Sequence, residues 1–167
     1  RLSRGWVSPH AKGIWFSVVL KPPFLPQEAS KCTLLAAVAV VKAVNKIQGV
    51  NAAIKWPNDI LLNGRKLVGI LTEMNAEFGH INYVVIGTGI NTHGEAEDYP
   101  EDVRDIAISI ADVATEPFTR VELLADILKN ICENGTIFYR DFFFCYYIWV
   151  KRSPIRLKIN LHFHQRL

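Results

Sequence analysis

The apolar and polar positions of the chain follow two different periods, which predict strands in some segments and helices in others. Residues 13–21 (GIWFSVVLK) are rich in β-branched and aromatic side chains and precede Pro22-Pro23, a pattern typical of a buried strand. Residues 27–48 combine good helix formers with a nearly continuous apolar centre and end at Gly49. They predict a helix that is packed on more than one side.

Further along, the pattern predicts antiparallel hairpins. Short strands are expected at residues 52–56, 60–62 and 67–74. Asn63-Gly64 supplies the positive φ angles of a type I′ turn between the last two of them. A polar turn is expected at residues 75–79, followed by a strand at residues 81–90. We therefore expect an α+β fold, in which a mixed, largely antiparallel sheet is flanked by helices.

A second long helix is predicted after an acidic loop at residues 92–105. Thr119-x-x-Glu122 has the form of a capping box and opens a helix that ends near residues 134–135. Between the loop and this helix, residues 106–113 (IAISIADV) fit a short strand and a helical turn equally well.

The C-terminal part of the chain does not continue this pattern. Residues 142–150 concentrate aromatic side chains, and residues 151–167 are basic without a clear amphipathic period. A strand or core-covering segment with an irregular terminus would explain this composition, and so would a terminus foreign to the fold. We therefore divide the chain into a domain at residues 1–135 and an atypical segment at residues 136–167.

Composition excludes several classes of protein. The chain has 167 residues, half of them apolar and 21% charged, which suits one globular core and excludes disorder for most of its length. Its 19 basic and 16 acidic residues give a net charge of +3, too diffuse to predict a duplex-binding surface. No apolar run approaches the roughly 20 residues of a membrane-spanning helix.

Cysteine usage and the first residues indicate the setting of the protein. Three widely spaced cysteines offer neither a disulfide framework nor a zinc site, which favours a reducing cytoplasm. The chain starts without methionine and without the apolar region of a signal peptide. We therefore expect it to be the interior of a longer protein.

Four clusters carry side chains that could bind an anionic ligand, although each also has a purely structural explanation. Residues 1–6 contain two arginines and Trp6, and arginine forks match phosphate or carboxylate oxygens. The segment KWPND at residues 55–59 breaks a strand and would present Asn58 and Asp59 at the mouth of a pocket.

The other two clusters place glycines in strands. Gly69 interrupts a strand, which loses packing unless a ligand or another backbone comes close, and Lys66 could reach over such a gap. Gly87 and Gly89 end another strand before Asn91, and we expect them to expose backbone N–H groups to an anion or a flat ring. This is not a dinucleotide-binding fingerprint, because the third glycine is absent and no helix follows at once.

Together and in this order, the motifs RxxRGWxSPxxxGIWFS, KWPNDI, RKLVGILTE and IGTGIN resemble the catalytic domain of biotin protein ligases, or biotin–[acetyl-CoA-carboxylase] ligases. The resemblance covers residues 1–135. It implies a fold related to class II aminoacyl-tRNA synthetases and a two-step reaction. Biotin and ATP, with Mg²⁺, would give biotinyl-5′-AMP and pyrophosphate, and a lysine of biotin carboxyl carrier protein would then displace AMP.

The resemblance also implies roles for individual residues. Arg1 matches an arginine that holds the phosphate and retains the adenylate, and Lys66 matches a lysine that contacts biotin and the acyl phosphate, so these two are the expected catalytic residues. The residues expected to bind biotin or the adenylate are Arg1, Trp6, Lys66, Gly69, Gly87 and Gly89. The residues expected near the nucleotide and the metal are Lys55, Asn58, Asp59 and Asn91, with Asp59 as the metal ligand.

The chain departs from the family pattern at both ends. The Ser-Thr-Asn segment and the first Gly-Arg-Gly that line the biotin pocket in the family are absent before Arg1, and residues 136–167 do not resemble the family's C-terminal β-barrel. The fragment alone could therefore be inactive. The alternative functions are a lipoate or octanoyl transferase of the same superfamily and a biotin-sensing repressor, because some members carry an N-terminal helix-turn-helix. Family members also often dimerise through edge strands, so a homodimer is a further expectation.

Overall fold

A computed structural model describes residues 11–138 and 147–150. The strands are β1 (Gly13–Leu20), β2 (Ala52–Lys55), β3 (Asp59–Leu62), β4 (Arg65–Glu77), β5 (His80–Asn91) and β6 (Tyr147–Val150). The helices are α1 (Ser30–Val44), the short α2 (Glu101–Arg104) and α3 (Arg120–Phe138). Single 3₁₀ turns lie at Pro26–Glu28, Ala96–Asp98 and Ile110–Asp112.

The six strands form one sheet in the order β2-β3-β4-β5-β1-β6. Each pair of neighbouring strands is antiparallel, and a single parallel bridge joins Lys66 to Ala107. The predicted α+β fold with a largely antiparallel sheet is therefore confirmed.

The two long helices pack on one face of the sheet, which we call the covered face. Helix α1 contacts β4, β2 and β5 on one side and α3 on the other, as its nearly continuous apolar centre predicts. The covered face of the three central strands consists of Ile14, Phe16, Val18, Leu20, Val68, Ile70, Val84, Ile86 and Ile90, all of them buried. They form one continuous core with the apolar side of α1.

The side chains of the same strands that alternate with these belong to the opposite face, which we call the outer face. Its residues are Trp15, Ser17, Val19, Gly69, Leu71, Val85, Gly87 and Gly89. Leu71 is 48% exposed here, whereas its neighbour Ile70 is 2% exposed on the covered face. The sheet therefore has one face packed into the core and one face that keeps accessible apolar surface.

The two hairpins of the sheet differ in how well the sequence predicts them. Asn63 and Gly64 have φ angles of 51° and 77°, which confirms the type I′ turn. The second turn is at Phe78-Gly79, with φ angles of 48° and 80°, so its predicted position over residues 75–79 is too wide. The polar residues before Phe78 continue the strand, where the Asn82 side chain donates a hydrogen bond of 2.6 Å to Asn75 Oδ1.

The two long helices are predicted at the right places with different ends. The α-helical part of α1 is shorter than residues 27–48 because Asn45, after its last residue, turns its side chain to the backbone of Ala52 in two hydrogen bonds of 2.8 and 3.1 Å. The predicted start of α3 is confirmed, and Thr119 caps it: Thr119 Oγ1 accepts a hydrogen bond of 3.2 Å from the Glu122 N–H and donates one of 2.6 Å to Glu122 Oε2. Helix α3 continues to Phe138, beyond its predicted end.

For residues 106–113 the sequence left a strand and a helical turn open, and the structure contains a short piece of each. Residues 106–113 contain both the parallel bridge at Ala107 and the 3₁₀ turn Ile110–Asp112. In the segment at residues 136–167, β6 pairs with β1 as an edge strand, while residues 139–146 and 151–167 lie outside the described residues. Within the described residues, neither of the long helices has the length and apolar composition needed to cross a bilayer.

Candidate functional site on the outer face

Three glycines form a continuous patch on the outer face. Gly69 of β4 pairs directly with Gly89 of β5, and Gly87 lies two residues before Gly89 on the same face, opposite Leu71. Since β5 is paired with β4 on one side and β1 on the other, the ladders use its backbone N–H groups. The expectation that these glycines expose N–H groups is therefore wrong, and what they offer is a sheet surface without side chains.

The protein's own packing does not require glycine at position 87. A Cβ atom built there would lie 3.6 Å from the carbonyl oxygen of Leu71 and 3.9 Å from Ser17 Oγ, both ordinary contact distances. At Gly87 the outer face thus has room for a further atom, as a site for a close-fitting ligand requires.

A β-bulge brings Lys66 to the edge of this patch. The register between β3 and β4 pairs Ile60 with Val68 and then Leu61 with Lys66, so Leu67 is an extra residue. Leu67 is fully buried. In a regular strand Lys66 would share a face with Val68, in the core, and the bulge turns it to the outer face instead.

The Lys66 ammonium is held there by a carboxylate. Lys66 Nζ lies 2.6 Å from Asp59 Oδ1, and Asp59 is the cross-strand partner of Gly69. The lysine side chain is 46% exposed and the aspartate side chain is 27% exposed, so both remain accessible. The ion pair therefore lies beside the Gly69–Gly89 pair.

The backbone of Lys66 is fixed by the segment that follows β5. Its N–H donates to the Ile106 carbonyl at 2.6 Å, and its carbonyl accepts from the Ile108 N–H at 3.1 Å. The Asn91 side chain donates to the carbonyls of both Lys66 (3.4 Å) and Ile108 (3.2 Å). Asn91 therefore braces the lysine, and its predicted proximity to a nucleotide stays a prediction.

The residues of the KWPND segment lie next to the Lys66–Asp59 ion pair. Asn58 donates a side-chain hydrogen bond of 2.9 Å to the Ile70 carbonyl, and its own carbonyl accepts one of 2.9 Å from the Ile70 N–H. Lys55 is exposed at the end of β2 and pairs in register with Asp59. Asp59 thus lies between two lysines, Lys55 and Lys66.

Asp59, the residue expected to bind magnesium, carries the ion pair with Lys66, and the described residues contain no cluster of three or more metal-ligating side chains. Its Oδ1 is buried and, within the described residues, has no hydrogen bond and only the Lys66 ammonium as partner. Mg²⁺ in nucleotide sites is held by one or two carboxylates together with phosphate oxygens. A single carboxylate beside a nucleotide would fit this pattern.

The sequence did not single out three residues of the outer face. In the register of β1 and β5, Trp15 pairs with Gly89 and Ser17 pairs with Gly87, and Leu71 completes the row with Gly87. Trp15 and Ser17 reach the glycines only through the pairing of strands about 70 residues apart, and Leu71 reaches Gly87 through the register of the β4–β5 hairpin, so no local motif carries that information. Arg1 and Trp6, which were expected to complete the site, lie outside the described residues.

Comparison with known proteins decides the family. The model of the biotin/lipoate A/B protein ligase family matches residues 1–91, more than half of the chain. The chain belongs to this family. Among curated proteins, it is 45% identical over 142 residues to the bifunctional ligase/repressor BirA of Bacillus subtilis, covering 85% of this chain and 42% of that protein. It is 38% identical over 96 residues to the biotin–[acetyl-CoA-carboxylase] ligase of Paracoccus denitrificans, covering 56% of this chain and 40% of that protein.

Solved structures agree with this assignment. The biotin protein ligase of Aquifex aeolicus in complex with biotin and ATP superimposes with a TM-score of 0.65 at 27% identity, covering 84% of this chain and 57% of that chain. Another structure of the Aquifex ligase gives a TM-score of 0.66, also at 27% identity, covering 78% of this chain and 55% of that chain. The predicted fold, of the class II aminoacyl-tRNA synthetase type, is therefore confirmed. The chain spans less than half the length of the curated relatives and just over half of the solved structures.

Proposed function

We propose that the protein carrying this chain uses ATP to join biotin to a lysine of biotin carboxyl carrier protein, through biotinyl-5′-AMP. The observation that supports this most directly is the Lys66 ammonium, set by a bulge beside a glycine floor on the outer face. The names of the relatives support the choice of biotin.

The outer face has a charged end at Lys66 and Asp59 and, beside it, an uncharged row that ends before Glu73, which suits a ligand with a neutral ring system and a carboxylate. Leu71, Ser17 and Gly87 form a row without charge, and Lys66 and Asp59 lie at the next row. An acid bound on this face would place its carboxylate at Lys66 and its rings over the row that contains Leu71. The missing side chains of the glycines would let the ligand lie directly on the strands.

The first step then needs positive charge more than proton transfer. A biotin carboxylate oxygen attacks the α-phosphorus of ATP, a P–O bond forms, and the bond to the β-phosphate oxygen breaks as pyrophosphate leaves. The carboxylate is already ionised at neutral pH, so no base is required. Lys66, supported by Lys55 and Arg1, would stabilise the negative charge that gathers on the phosphorus oxygens. Mg²⁺ held by Asp59 would supply further charge neutralisation for the phosphates.

The second step transfers the acyl group. The neutral amine of the acceptor lysine attacks the acyl carbon, an amide forms, AMP leaves with the bonding electrons, and the amine loses a proton. Biotin is never covalently attached to the enzyme in this scheme. The proposal places the protein in the cytoplasm.

The sheet offers an edge for a protein partner. Strand β3 pairs with β4 only as far as Gly69, so within the described residues Leu71–Glu77 has a strand neighbour on one side only. An edge with free backbone groups can add a strand from another chain. This supports both the expected carrier protein and the expected homodimer.

The proposal is tested by biotin-dependent exchange of labelled pyrophosphate into ATP, measured on the full-length protein that contains this chain. Lys66→Ala should lower the exchange rate about 100-fold or more, in line with the loss of one preorganised donor. Lys129→Ala is the matched control, because Lys129 is an exposed lysine on α3, paired with Glu133 at 3.8 Å, away from the outer face. A Lys66→Ala rate within about threefold of wild type, under 1 kcal/mol of barrier, would refute the role of Lys66.

The same assay separates the alternatives. Exchange that depends on lipoate or octanoate instead of biotin would identify the transferase of the same superfamily. A repressor function, as in the name of the Bacillus relative, would require specific DNA binding by the full-length protein that responds to biotin. Comparing the 167-residue chain with the longer protein would show whether the fragment alone is inactive.

A further inference from the structure

Lys66 lies at a position of β4 where β5 no longer pairs with it. On one side Lys66 pairs with Leu61 of β3. On the other side the ladder between β4 and β5 reaches only to Val68 and Ile90. Residues 106–108 take the place of β5 here and form the parallel bridge with Lys66. The position of the Lys66 backbone therefore depends on a segment outside the main ladder.

This segment is anchored by burial at one end only. Ala107 and Ile108 are buried, whereas Ile106 is 54% exposed. The Lys66 carbonyl accepts its hydrogen bond from Ile108, at the buried end, and the Lys66 N–H donates to the Ile106 carbonyl, at the exposed end. The acceptor of the Lys66 N–H therefore needs another group to hold it in place.

The side chain of Arg65, the residue before Lys66, binds the chain two residues before Ile106. Its guanidinium donates a hydrogen bond of 3.0 Å to the carbonyl of Arg104, the last residue of α2. A carbonyl at the end of a helix has no partner inside the helix, and a positive charge there also interacts favourably with the helix dipole. Arg65 and Lys66 thus hold residues 104–106 together, one through its side chain and the other through its backbone N–H.

Helix α2 is a single turn, too short to be stable without contacts from outside it. Arg104 Nε donates a hydrogen bond of 2.9 Å to the carbonyl of Tyr99, a buried residue just before the helix. The Ile106 N–H donates one of 3.1 Å to the Val103 carbonyl. Residues 99–106 are therefore one hydrogen-bonded unit, and the Arg65 side chain connects this unit to β4.

We propose that Arg65 is a positioning residue for Lys66, because by binding the Arg104 carbonyl it keeps residues 104–106 against β4 and so fixes the Lys66 ammonium at the charged end of the outer face. This inference rests on the proposed function, in which that ammonium stabilises the charge on the phosphorus oxygens. Arg65 itself touches no ligand in this scheme. Its effect on the reaction should therefore disappear when the Lys66 side chain is removed.

The kinetic test is a double-mutant cycle in the full-length protein, with biotin-dependent pyrophosphate exchange as the readout. Arg65→Ala should lower kcat about tenfold, with the KM for biotin and for ATP within about threefold. Arg65→Lys should recover most of this loss, because an ammonium can still donate to one carbonyl. In the Lys66→Ala background, Arg65→Ala should lower the rate by less than about twofold. A further tenfold loss in that background, or a wild-type kcat in Arg65→Ala, would overturn the inference.

Amide hydrogen exchange followed by NMR gives a readout that does not depend on biotin. In Arg65→Ala the Lys66 N–H should exchange about tenfold faster, whereas the Ile108 N–H, at the buried end, should change by less than about threefold. Arg120→Ala is the matched control, because it removes an arginine hydrogen bond of the same kind, 2.6 Å long, to a different carbonyl, that of Ala11. It should leave both amides unchanged.

The two readouts separate this inference from the proposed function. An unchanged Lys66 amide in Arg65→Ala, or equal acceleration of the Lys66 and Ile108 amides, would overturn the positioning role even if the enzyme is active. A wild-type protein without biotin-dependent pyrophosphate exchange would instead refute the proposed function, and the Lys66 amide would still decide whether Arg65 holds residues 104–106 against β4.

Discussion

The two faces of the central strands use the same backbone for opposite purposes. Ile86 and Gly87 are neighbours on β5, yet Ile86 is 1% exposed in the core and Gly87 lies on the outer face with room for a Cβ atom. On the covered face the positions are filled by buried side chains, which are apolar apart from Thr88. On the outer face three positions lack side chains and one lysine is turned there by a bulge. The site that we propose therefore lies on the face whose positions are not filled by packed side chains.

The largest effect on stability is expected on the covered face. Ile86→Ala should lower the free energy of unfolding by about 2–5 kcal/mol, because it leaves a cavity in a well-packed core. Urea unfolding would measure this loss, and pyrophosphate exchange per folded molecule should stay close to the wild-type value. If Ile86→Ala kept wild-type stability but had reduced exchange, the prediction would be wrong, because the covered face would then take a direct part in ligand binding.

The neighbouring position should behave in the opposite way. Gly87→Ala should change the free energy of unfolding by less than about 1 kcal/mol, because the new methyl group meets only ordinary contacts at 3.6 Å or more. It should raise the KM for biotin about tenfold, because the methyl group would occupy space proposed for the ligand. Steady-state kinetics and urea unfolding on one preparation measure both quantities.

Gly64→Ala provides the contrast for this variant. Nothing lies within 4 Å of a Cβ atom at Gly64, but its φ of 77° is unfavourable for alanine. This variant should lose stability and keep its KM for biotin. If Gly87→Ala binds biotin as well as wild type does, the outer face is not the biotin site.

The covered face could be predicted from the sequence far better than the outer face. Alternating apolar residues and the Asn63-Gly64 turn are local signals, and they gave the strands and the first hairpin. The second turn could be predicted only within residues 75–79 and not at Phe78-Gly79, because an aromatic residue at positive φ contradicts the usual turn preferences. The bulge at Leu67, which turns Lys66 outward, also has no local signal and depends on pairing with β3.

The candidate site was predicted mainly through its motifs. The order of KWPND, RKLVGIL and IGTGIN indicated that Asp59, Lys66 and the glycines belong together, and the structure brings them together. It could not indicate that the Asn58 and Asn91 side chains brace the backbone, because their partners lie 12 and 17 or more positions away. Nor could it place Trp15 and Ser17, which reach the site through the register of β1 with β5.

The smallest expected effect is a change in the free energy of unfolding with pH, and titratable groups near the two faces contribute to it differently. On the covered side, burial raises the pKa of the Cys32 thiol to about 12, so it stays protonated under ordinary conditions. Beyond the charged end of the outer face, His93 stacks on Phe118 with ring centroids 4.8 Å apart. Its pKa is lowered, first by partial burial and then by the positive charges of Arg120 and Lys12.

Because the folded state resists protonation of His93 and the unfolded state does not, the free energy of unfolding should fall as pH drops below about 6.5, the ordinary pKa of histidine. Above that pH both states hold a neutral imidazole, and His93 contributes no pH dependence. His93→Phe keeps an aromatic ring against Phe118 and removes the titration. Urea unfolding at pH 7.5 and pH 5.5 should show a smaller decrease for this variant than for wild type. Equal decreases would mean that neither burial nor the charges of Arg120 and Lys12 lower the pKa of His93 as described, and that other groups cause the pH dependence.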